Sequence, residues 1–164
     1  MQLGNRLHRE SPPTLEGNPM FGKLFGKKSG EARQAISVMT NRDLMQACVY
    51  GCFYVAAADG DLEAAELEKI EKLISNAPAL QGFGSELSNT IDRAKNDFLN
   101  GGPRILRQNA EKELKDLAHS ADDAATVLNF MLTVAEADGE IEPEETVVLE
   151  KAAKILNLNL KDYL

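Results

Sequence analysis

Tryptophan is absent from this 164-residue chain, and aromatic residues make up only 5% of it. With three tyrosines and no tryptophan, little is available to line a sugar cleft, so the many carboxylates do not read as a glycosidase pair. Cysteine is scarce too. Cys48 and Cys52 fall in one apolar run without nearby histidine, which excludes a disulfide scaffold, fits a reducing compartment and makes them small buried hydrophobes. Positive charge is in deficit: 18 basic against 26 acidic side chains leave a formal net charge of -8, which argues against nucleic acid as the partner. No run of about 18 apolar residues offers a membrane span, and the first residues lack the apolar core of a signal peptide. Phosphate loops, nucleophile elbows and zinc-hydrolase helices are missing, and His8 and His119 have no acid–base partner close in sequence. What these absences leave is the expectation of a soluble, acidic, intracellular, non-enzymatic protein with no organic cofactor.

Charge and composition divide the chain. Residues 1–20 carry Pro12, Pro13 and Pro19 with little periodicity and read as a disordered or loosely attached tail. Residues 21–30 form a basic and aromatic strap, in which Phe21, Lys23, Phe25, Lys27 and Lys28 are candidate interaction residues for a partner or, peripherally, an anionic membrane surface. Up to residue 33 the net charge is +3, and from residue 34 onward it is -11, so cation-seeking behaviour belongs to residues 31–164.

That domain reads as helical throughout. Asn41–Ala58 is apolar almost all round and too long for a strand, which predicts a buried helix; Gly51 within it implies a close crossing by a second helix. Glu63–Ser75 is amphipathic through Leu67, Ile70, Leu73 and Ile74, and residues 76–84 read as a loop. Ser85–Leu99 and a helix starting at Pro103 and ending near Ala118 follow, separated by Gly101 and Gly102, with Ser85 as an N-cap. A second apolar helix, capped at Asp122, runs to Ala137; Glu142–Leu156 is again amphipathic, and residues 159–164 add a turn. The expected fold is all-α, with six to seven helices in two pseudo-two-fold-related halves around two central apolar helices.

The most informative feature is a repeat. Ala58-Asp59-Gly60-Asp61-Leu62-Glu63 and Ala137-Asp138-Gly139-Glu140-Ile141-Glu142 stand 79 residues apart, each at the exit of an apolar helix, and Glu66 matches Glu145 at the same offset. From each aspartate to the glutamate seven positions on, the spacing resembles the closing half of an EF-hand calcium loop. The opening half is missing: Val55 and Ala57, or Val134 and Glu136, occupy the earlier ligand positions. Asp59, Asp61, Glu66, Asp138, Glu140 and Glu145 are therefore candidate ligands for Ca²⁺ or Mg²⁺ in a site shared between the loops. Hard ions are favoured because neither motif holds cysteine or histidine. A second account stays open. Glutamates 63, 66, 142 and 145 also suit helix capping, and the acidic loops suit docking of a partner protein without any metal.

These elements together resemble the TerB family of tellurite-resistance proteins. The likeness rests on Phe21–Lys28 and on the two alanine-rich helices ending in Asp-Gly, and it spans roughly residues 20–160. The resemblance implies a TerB-like all-helical domain over residues 31–164 and a role in tellurite resistance or metal stress response among protein partners. It also implies a cytoplasmic location, at most peripheral to the inner membrane. The implied site residues are the same six acids.

Overall fold

The computed structural model describes residues 41–137 and 139–164. The tail, the strap and Asp138 lie outside them. The described residues form an all-α fold of about six helices: α1 (Arg42–Ala56), α2 (Ala64–Ser75), α3 (Ser85–Lys115, kinked), α4 (Ala121–Ala135) and α5 (Pro143–Ile155), with 3-10 helices at Pro78–Phe83 and Leu160–Tyr163. No described helix is long and apolar enough to cross a membrane.

Eleven of the fifteen residues of α1 are buried, and eleven of fifteen in α4, as near-continuous apolar runs require. Asn41 caps α1, its side-chain oxygen accepting from the N–H groups of Asp43 and Leu44 at 2.9 and 3.3 Å. The crossing implied by Gly51 is present: a Cβ there would stand 3.0 Å from both Cγ and Sδ of Met131 on α4. Helix α2 buries Leu67, Ile70 and Ile74, one stripe of its amphipathic pattern.

The loop at 76–84 and two helix caps differ from expectation. The loop expected at 76–84 contains the 3-10 helix Pro78–Phe83 with Ala79 and Leu80 buried, and Gln81 Nε2 secures it by donating to the Ser75 and Ala77 carbonyls at 2.6 and 3.0 Å. The two helices read from 85 onward are both present as the two segments of α3, which Gly102 (φ 77°, ψ -176°) separates in a non-helical conformation that glycine adopts readily, with Pro103 starting the second segment. Caps shift as well. Gly84 rather than Ser85 precedes α3, and Ser120 rather than Asp122 caps α4, its Oγ accepting from the Asp123 N–H at 3.3 Å.

Two tyrosines one turn apart on α1 grip α3 across its kink. Tyr50 donates to Asp97 Oδ2 at 2.7 Å, and Asn109 Nδ2, beyond the kink, donates to the same oxygen at 2.9 Å. Tyr54 donates to Glu111 at 2.6 Å. Burial, then the hydrogen bond to Asp97, pushes the Tyr50 phenol up to about 12, and burial raises Tyr54 likewise. Raised phenol pKa values mean that the unfolded chain loses its protons first. Their contribution is intact below pH ~10, where a free tyrosine ionises, and is lost as pH rises through the folded value near 12. Urea midpoints should fall between pH 10 and 12, and Tyr50→Phe should flatten that decline.

Candidate functional site

The backbone hydrogen bonds of the two helix exits repeat. Ala57 and Glu136 N–H groups bond to Phe53 and Leu132 carbonyls at 3.0 and 2.9 Å, and Gly60 and Gly139 N–H groups bond to Ala57 and Glu136 carbonyls at 2.9 and 3.0 Å. Both glycines take positive φ, 86° and 113°, which turns the chain sharply at each corner and disfavours any side chain there. Leu62 is buried and Ile141 packs against the core, anchoring the far side of each loop.

Glu63 and Glu142 then cap α2 and α5 through reciprocal capping boxes. Oε1 of Glu66 accepts from the Glu63 N–H at 3.0 Å, and Oε1 of Glu145 from the Glu142 N–H at 2.9 Å. Each box should contribute about 0.3–1.5 kcal/mol. Glu66→Ala and Glu145→Ala should each lower unfolding free energy in that range, checked by denaturant titration.

The remaining acids are disposed as follows. Asp59 and Asp61 are exposed; Asp59 Oδ1 accepts from the Asp61 N–H at 2.9 Å, and Asp61 Oδ1 from the Leu62 N–H at 2.8 Å. Glu140 is exposed at the second corner, and Asp138 lies outside the described residues. Val55, Ala57 and Val134, which stand where an EF-hand would place early ligands, are buried.

Glu66 and Glu145 are brought together. Both line a cavity of about 330 Å³ between the two exits, which Leu62 and Ala56 border from the first copy and Val134 and Ala137 from the second. Ile70 and Leu73 of α2 add to its apolar surface, and Lys69 and Lys72 complete its rim. Those lysines were missed at the sequence level, although Glu66, Lys69 and Leu73 follow the three- and four-residue steps that place side chains on one helix face. Among the described residues, no three or more His, Cys, Asp or Glu side chains gather so as to hold a metal ion. The residues in view are thus a poor fit to a closed oxygen cage: each closing glutamate already gives one oxygen to its helix, and two lysines share the cavity.

The cysteines are structural. Cys48 and Cys52 are buried, and desolvation raises both thiols, Cys52 to about 12, which suppresses the reactive thiolate.

A family model described as "Tellurite resistance protein TerB" matches residues 45–164, from the first turn of α1 to the last residue. No curated protein and no solved structure matches the chain.

Proposed function

This chain belongs to the TerB family, and on that premise we propose that it is a non-enzymatic interaction module in tellurite resistance or metal stress response, docking a basic protein partner on its paired acidic loops. The observation that carries this reading is the chemistry of the cavity between the exits. Its apolar floor of Leu62, Ile70 and Leu73 offers nothing to a bare divalent cation, which has no apolar body to lay against it. A lysine or arginine side chain from a partner would use both parts, its stem against the floor and its head toward Glu66 and Glu145. Asp59, Asp61 and Glu140 extend the negative field outward and speed the encounter. The two halves are read as related by a pseudo-two-fold axis passing between the exits, a reading supported by their repeated hydrogen bonds.

A second reading, a Ca²⁺ or Mg²⁺ site shared by the two loops, draws on one specific observation: equivalent glutamates of the two copies face the same cavity. Calorimetry separates the two. Chelator-stripped full-length protein titrated with Ca²⁺ and then Mg²⁺ should give no saturable heat at millimolar ion if the loops dock protein. One-to-one binding abolished by both Asp59→Asn and Glu145→Gln would overturn the docking reading in favour of the shared ion site.

A further inference from the structure

A second cavity, of about 420 Å³, lies where the end of α1, the segment of α3 beyond its kink and helix α5 meet. Its charge runs against that of the rest of the protein. Arg104, Arg107 and Lys151 line it together with a single carboxylate, Glu144, in a chain of net charge -8. Among the described residues, none of these three cations forms an ion pair or a side-chain hydrogen bond. Asp59 and Asp61 are not among the lining residues, and one oxygen of each accepts within its own loop, from the Asp61 and Leu62 N–H groups.

Apolar surface lies within the same walls. Tyr54, Leu106 and Val148 line the cavity and are buried, whereas Val147 is 53% exposed, one of the few large apolar side chains left open to water among the described residues. The volume falls within the roughly 300–1,000 Å³ usual for small-molecule sites, which combine apolar walls with a few placed polar groups. The backbone adds a further term. The chain restarts its helical path after Gly102, so Pro103 to Arg107 form a first turn whose dipole is positive toward the cavity rim.

We propose that this cavity binds a small organic anion, a carboxylate or phosphate carried on an apolar body. The anionic head is held among Arg104, Arg107 and Lys151, and the apolar body lies against Leu106, Val147 and Val148. Both parts are needed: three exposed cations alone hold an anion weakly against salt, and the apolar wall alone does not select charge. The site is separate from the acidic cavity and independent of the docking reading.

Octanoate is a suitable probe, with acetate as the charge without the body and octanol as the body without the charge. In calorimetric titrations of the full-length protein at low salt, octanoate should bind with one-to-one stoichiometry, at least tenfold more tightly than either control. Arg104→Gln/Arg107→Gln/Lys151→Gln should weaken it at least tenfold, as should Val147→Asp, while Lys69→Gln/Lys72→Gln in the other cavity leaves it unchanged. All these side chains are solvent-exposed, so circular dichroism should report an intact fold in each variant. Absence of octanoate binding at millimolar concentration, or equal binding by the triple variant, would overturn the proposal.

Discussion

Gly51→Leu should destabilise the domain by about 3 kcal/mol, a large share of the roughly 5–15 kcal/mol that holds a typical domain folded. The reason is space. A Cβ at position 51 already meets Met131 Cγ and Sδ at 3.0 Å and Val127 Cγ1 at 3.6 Å, so a leucine has to push α1 and α4 apart. Alanine is a more delicate case: it gains about 1 kcal/mol of helix propensity but needs Met131 to give by a few tenths of an ångström, so Gly51→Ala should be close to neutral. Combining Gly51→Leu with Met131→Ala should restore part of the loss, because the new side chain occupies the space vacated. Urea titration of the four proteins of this cycle gives the coupling directly; strict additivity would show that the two residues do not share a packing site.

Phe53→Ala should cost about 3–5 kcal/mol. Phe53 is fully buried on α1, and truncation removes the transfer energy of the ring and leaves a void that neighbouring helices cannot close without giving up their own contacts. Thermal unfolding should show a large drop in midpoint with native helicity retained at low temperature. A change below about 1 kcal/mol would mean that the core collapses readily around position 53, contrary to the close packing at Gly51. The comparison with Gly51→Leu is informative, since one variant underfills and the other overfills the same helix.

Much of this architecture is legible in the residues. The run Cys48–Val55 is apolar almost all round and Val127–Val134 is interrupted only by Asn129 and Thr133, which only burial satisfies, and both runs are buried. Gly51 carried the crossing of α1 and α4 because a helix bears that penalty only where something comes close. The repeated Asp-Gly corners marked two equivalent exits, and the capping role of Glu66 and Glu145 follows from their position three residues after Glu63 and Glu142. Other features depend on contacts between distant segments. Gln81 folding back on Ser75 and Ala77 turned a proline- and glycine-bearing loop into a 3-10 helix. That Glu66 and Glu145 share a cavity with Lys69 and Lys72 is a tertiary fact. The basic cavity around Arg104, Arg107 and Lys151 was hidden by the acidic average of the domain.

The central claim is that the two acidic corners act together on one protein partner, and site-specific crosslinking in cells tests it most directly. A photo-crosslinking residue would be placed at position 61, at position 140, or at the control position 108 on the exposed side of α3, in cells challenged with tellurite. The account predicts that positions 61 and 140 capture the same protein and position 108 does not. Neutralising the other loop acids, through Asp59→Asn with Glu140→Gln or Asp61→Asn, should abolish capture, and calcium chelation should leave it unchanged. Equal capture from position 108, capture that survives neutralisation, or capture that requires added calcium would contradict it.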